Sequence, residues 1–128
     1  MDVQENLEVS DGIWFFRPQG ESSLTEAVDM VSLTIARCRE QGADKLLVNA
    51  CGLTGIAIPT LIDRFLMVEE WAQQASGMLA VVMVVPPTYI HPQKFGIKVA
   101  AHFGLTANVF TGEDAALHWL TTAAMRAG

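Results

Sequence analysis

Two cysteines and three histidines hold most of the reactive chemistry in this chain of 128 residues. Cys51 is the one side chain with nucleophilic promise. It stands in LLVNACGLTG, after a strand-like run and ahead of a helix whose N-terminus would stabilise a thiolate, and His91 would serve as its base. No local pattern joins the two, so a structural thiol is the simpler reading and no catalytic residue is assigned. His91, His102 and His118 include no pair three or four residues apart, the spacing a metal site on one helix needs, so neither a metal nor a cofactor is expected. Glu69 and Glu70 are adjacent, point in different directions and read as solvent contacts. GLTG lacks the length and the lysine of a phosphate loop.

The remaining chemistry is that of binding. In open parallel α/β sheets, ligands gather where the carboxyl ends of strands meet helix N-termini. That edge offers Asn49, Cys51, Thr54, Thr60, Thr88, Tyr89 and His91 as candidate contacts for a ligand or partner. Ser23 and Thr111, on the same edge, read as helix caps. The rim PPTYIHP is stiffened by its prolines, and Tyr89 and Ile90 give it adhesive surface. Phe65, Met67, Trp71, Met78 and Phe95 are core candidates that could also line an apolar cavity.

The elements that must position these residues follow from periodicity. Ile13, Trp14, Phe15 and Phe16 form a dense strand ended by Pro18 and Gly20, with Leu7 to Val9 as its hairpin partner. Ser23, followed three residues on by Glu26, is a capping box. The stripe Leu24, Val28, Val31, Ile35 and Cys38 then marks one buried helix face. Leu46 to Val48 is a short strand without alternation, hence buried on both faces. Pro59 opens a second long helix, with Leu61, Phe65, Val68 and Ala72 as its expected core stripe. Met78 to Val85 is the strongest strand and is stopped by Pro86 and Pro87. A third helix is expected from Gln93 to His102, a strand around Val109 and Phe110, and a last helix capped by Thr111 through Ala116, Leu120 and Ala123.

Composition narrows the class. Hydrophobic residues make up 51% and charged residues 17%, which excludes a disordered chain. The net charge of −6 and the lack of a basic stripe argue against a nucleic-acid partner. The acidic opening MDVQENLEVSDG has no apolar stretch for a leader, and no run is long enough to span a bilayer, so a cytoplasmic protein is expected. No internal repeat or linker divides the chain, so residues 1–128 are read as one domain. Strands alternating with helices imply parallel pairing through right-handed crossovers. In sequence order, such a sheet carries its helices on one face. Its second face must be covered by some of the helices or by another subunit, and a homodimer is the expected answer.

The run LLVNACGLTG, the segment HPQKFGIKVAAHFGL and the ending VFTGEDAALHWL resemble the STAS-like fold of bacterial anti-sigma-factor antagonists, related to Sec14-type lipid-binding domains. The resemblance covers the chain from Gly12 onward. It implies a β–α superhelix with a mostly parallel five-stranded sheet and four helices. It also implies a non-enzymatic regulatory module that binds a protein partner. The family carries Asp-Ser-Ser-Gly at the start of its second helix, where a serine is phosphorylated. The matching stretch here is Ala57, Ile58, Pro59 and Thr60, and Asn49 replaces the aspartate that ends the preceding strand, so the phosphorylation switch does not carry over. The lipid-binding relatives imply an alternative, a carrier or sensor of a small apolar molecule held between the sheet and the second helix. An enzyme dependent on Cys51 stands third.

Overall fold

The computed structural model describes residues 6–122. Two strands, β1 (Leu7–Ser10) and β2 (Ile13–Phe16), form an antiparallel hairpin in which Ser10 pairs with Ile13. Asp11 and Gly12, between them, have φ of 51° and 79°. Positive φ at both central residues defines the tight turn that matches strand twist, and Asp-Gly favours it.

After β2 the chain makes a two-residue strand, β3 (Gly20–Glu21), and the helix α1 (Leu24–Glu40). Ser23 caps α1 with the expected box: its hydroxyl accepts from Glu26 N, and Ser23 N donates to the Glu26 carboxylate. Strand β4 (Lys45–Asn49) and a second short strand, β5 (Leu53–Thr54), lead to α2 (Leu61–Ala75). Strand β6 (Ala80–Val84), a 3-10 turn at Pro87–Tyr89, α3 (Phe95–His102), β7 (Ala107–Phe110) and α4 (Glu113–Thr121) complete the order.

Among the described residues the chain is thus α/β, with four helices and a mostly parallel, mixed sheet of five strands. The sheet runs β1-β2-β4-β6-β7, and only the β1–β2 pair is antiparallel. Alternation sorts its side chains into two cores. Phe16, Leu46, Val48 and Val81 pack with Val31, Ile35 and Cys38 of α1, Val68 and Trp71 of α2, and Val99 of α3. Ile13, Phe15, Leu47, Val82 and Val84 face the other way and pack on Ala116 and Leu120 of α4.

Three helices therefore lie on one face and α4 on the other. Strands apolar on both faces need two covers, and within one chain α4 supplies the second. The homodimer expectation started from a bare second face; that premise falls.

Several boundaries differ from the sequence reading. Met78 is 67% exposed and precedes the strand it was expected to open. The α4 N-cap is Gly112, without a side-chain cap bond, so Thr111 does not cap it. Lys94 at φ 51° starts α3 two residues later than expected. Ala123, expected in the last helix, lies outside the described residues. The parallel pair β3–β5 was missed because two-residue strands have no periodicity to read. It depends on Gly52, where a Cβ would come within 2.9 Å of Gln19 Cγ and 3.0 Å of Pro18 O.

Candidate functional site

The face of the sheet under α1, α2 and α3 is not packed solid. A cavity of about 150 Å3 lies there, walled by Val28 and Val31 of α1, Met67 and Trp71 of α2, and Val81 and Met83 of β6. Close-packed interiors hold few voids larger than a water molecule, so this one is conspicuous. Trp71 is buried, and its Nε1 donates to Val28 O at 3.2 Å, which ties α2 to α1 across the cavity. Ile97 and Ala100 of α3 and Leu105 beyond it close the far wall.

Polar groups reach the cavity from the first turns of α2 and α3 and from the loop after β6. Arg64 is 9% exposed and lines it, and Arg64 Nη1 donates to Tyr89 O at 2.9 Å. Tyr89 lines it too, and its hydroxyl donates to Ile56 O at 2.6 Å, pinning the loop after β6 to the one before α2. His91 is another lining residue. Its Nδ1 accepts from Gln93 N at 3.1 Å, so the neutral ring carries its proton on Nε2. Lys94, exposed at the start of α3, extends its Nζ to 3.4 Å from Asn108 Oδ1 and sits 5.6 Å from the centre of the Phe110 ring. Among the described residues, no aspartate or glutamate lines it.

A scan against models of known families finds no match for this chain, and no curated protein matches it.

The sequence-derived candidates divide among different places. Tyr89 and His91 meet at the cavity. Asn49 and Cys51 belong instead to a cluster around Glu113. Asn49 Nδ2 donates to Glu113 Oε2 at 2.7 Å, and Asn49 Oδ1 accepts from Cys51 N at 3.0 Å. Arg17 completes this cluster from the end of β2. Its hydrogen bonds, with help from Asn49, hold the Glu113 carboxyl below the ordinary 4.5.

Cys51 itself is exposed, but partial burial and then the Glu113 charge push its thiol above the ordinary 9.0. A helix N-terminus was expected to lower it. The carboxylate at the start of α4 acts in the opposite direction, and no hydrogen bond joins Cys51 to His91 among the described residues. Cys38, in the core, is pushed up to about 12 by burial.

The threonines stand apart from the cavity lining. Thr60 is the N-cap of α2 in a second capping box: its hydroxyl accepts from Asp63 N, and Thr60 N donates to Asp63. Thr54 lies in β5 and Thr88 in the 3-10 turn, both exposed and both away from the cavity lining. Of the expected apolar set, Met67, Trp71 and Phe95 pack in or against the core, whereas Phe65 and Met78 are exposed.

Arg64 is the residue the sequence reading missed. The buried stripe of α2 is Arg64, Val68, Trp71 and Ala75; of the expected Leu61, Phe65, Val68 and Ala72, it contains Val68 alone. LIDRFLMV is apolar on more than one side, so two stripes fit it equally well. An arginine in phase with Val68 and Trp71 was the available signal. The displaced stripe leaves Leu61, Ile62, Phe65 and Leu66 on the outside of α2, next to exposed Ile58. Among the described residues no helix is long and apolar enough to cross a membrane, and no cluster of three or more His, Cys, Asp or Glu could hold a metal ion.

Proposed function

We propose that this protein is a binding module that holds a small apolar molecule between its sheet and helices α1 to α3. The cavity of about 150 Å3 carries this reading. The cavity opens to solvent beside exposed Lys94, and its walls are almost wholly apolar, so an apolar occupant that displaces water from them is favoured. Aliphatic cavities of about this volume accommodate a single aromatic ring.

Native mass spectrometry of freshly purified protein should show added mass of a small molecule, and hexanol should raise the melting temperature in proportion to its occupancy. Ala27, half-buried in the α1 wall, is the place to block the site. Ala27→Leu should abolish the hexanol effect without unfolding the chain. A wild-type protein that neither carries nor gains from such a molecule would contradict the reading.

The second reading is a cytoplasmic regulatory module of the STAS-like kind, acting through protein contacts and without the phosphorylation switch. Its support is the outer face of α2. Ile62 is 70% and Leu66 55% exposed there, while Asp63 is engaged in the cap and Arg64 is turned inward. This apolar helix face, bordered by Glu69 and Glu70 one turn beyond Leu66, suits a second copy of the same face paired about a twofold axis, even on a chain of net charge −6. Light scattering at micromolar concentration should then give twice the chain mass, and Ile62→Glu should return the monomer. Neither reading needs catalysis, and the raised thiol of Cys51 weighs against the enzyme alternative.

A further inference from the structure

The polar side of the cavity is more selective than its apolar walls. Only 8 of the 128 residues are lysine or arginine, against 14 aspartates and glutamates. Two of those eight, Arg64 and Lys94, line this one cavity together with His91, and among the described residues no acid lines it. Arg64 is nine-tenths buried. Among the described residues it has no carboxylate within ion-pair distance, and its one hydrogen bond takes Nη1 to the Tyr89 carbonyl. Its Nε and Nη2 have no protein partner among those residues and are not sealed from solvent, so they are available to an anion in the cavity.

The Tyr89 bond also fixes the orientation of the guanidinium. With Nη1 committed, Nε and Nη2 remain as two parallel donors, the edge that matches both oxygens of a carboxylate. Two further features favour an anion. No side chain caps α3, and Gly96 and Ile97 of its first turn border the cavity, which brings the positive end of the helix close to it. Lys94, just before α3, adopts a left-handed backbone that is unusual for a side-chain-bearing residue, and its ammonium stands beside Asn108.

We infer that the cavity takes a small carboxylate-headed amphiphile, an aryl or short alkyl acid, with its apolar body inside and its head on Nε and Nη2 of Arg64. His91 Nε2 and Lys94 Nζ supply the surrounding donors. This inference rests on the reading of the cavity as a ligand site and adds the identity of the head group.

Matched pairs of probes separate the two levels: benzoate with benzyl alcohol, and hexanoate with hexanol, titrated calorimetrically at low salt. Wild-type protein should bind each acid about tenfold or more tightly than its alcohol, the scale of a charged hydrogen bond. Arg64→Met should remove that preference and leave the alcohols within about threefold of wild type, since it retains the apolar stem. Should Arg64→Met fail to fold, Lys94→Gln at the exposed rim should reduce acid binding by about twofold to fivefold and flatten its salt dependence. Acids and alcohols bound equally, or an Arg64→Met loss shared by both, would overturn the carboxylate assignment and leave the apolar site standing. Failure of all four probes to bind would overturn the site itself.

Discussion

The guanidinium of Arg17 holds the carboxylate of Glu113 through paired hydrogen bonds, Nε to Oε2 at 2.8 Å and Nη2 to Oε1 at 3.0 Å, across 96 residues of sequence. This contact ties the end of β2 to the first turn of α4. Among the described residues, it anchors the only helix on its side of the sheet. The Glu113 carboxylate also sits at a helix N-terminus, where the dipole favours it.

Glu113→Gln should therefore destabilise the fold by about 1 kcal/mol, a charged hydrogen-bond contribution reduced because both side chains retain solvent contact. The pH dependence follows from the direction of the shift. Because the folded carboxyl titrates below the ordinary 4.5, its contribution is complete above that pH and is lost as pH falls through the lower, folded value. Urea midpoints of wild type and Glu113→Gln should converge as the pH is lowered below 4.5. A gap that stays constant would refute this account.

Cys51 should behave as an unreactive surface thiol. Its alkylation rate at pH 7 should be no faster than that of a free cysteine peptide, and its titration midpoint should lie above 9.0. Glu113→Gln removes the charge that adds to burial in raising it, so the midpoint should move down in that variant. Cys51→Ser should leave hexanol binding unchanged.

Thr60 should matter for stability and not for binding. Thr60→Ala removes the hydroxyl that receives Asp63 N and should cost about 1 kcal/mol, as should Ser23→Ala at the start of α1. Incubation with cell extract and ATP should place no stoichiometric phosphate between Asn49 and Leu61. Phosphate on Thr60 that altered partner binding would reverse the reading of this segment as lacking a switch.

Gly96 offers a gain. It lies in the first turn of α3 without positive φ, and a Cβ there would meet Val68 Cγ2 at 3.9 Å, an ordinary contact. Gly96→Ala should stabilise by about 0.5 kcal/mol by restricting the unfolded chain. A lower urea midpoint would show that the wall beside Val68 has no room for a methyl group.

What could be read from the sequence was whatever is encoded locally. The Ser23 capping box lies within four residues, and the two-sided strand Ile13 to Phe16 declares itself by lacking alternation. The stripe of α2 was misread because Leu61, Ile62, Phe65 and Leu66 are apolar residues left outside, so periodicity alone could not fix the rotation of the helix. Only the tertiary setting of Arg64, against the Tyr89 carbonyl, settles it. The roles of Asn49 and Cys51 were hidden for the same reason. Their common partner, Glu113, is 64 residues from Asn49 and reads locally as an acid suited to the first turn of a helix. Tyr89 and His91 were legible because prolines and aromatic residues mark the rim loop by composition.

The strand order β1-β2-β4-β6-β7 follows the order of the chain, and this has a consequence during synthesis. Each strand leaving the ribosome can join the growing edge of a sheet whose earlier members are already present, with its crossover helix laid on the same side. The opposite side stays open throughout this growth. Ile13, Phe15, Leu47, Val82 and Val84 find their cover only when Glu113–Thr121 has emerged. The nascent chain thus carries a sticky sheet face until α4 has been made, and that interval is when neighbouring nascent chains or a chaperone would engage it.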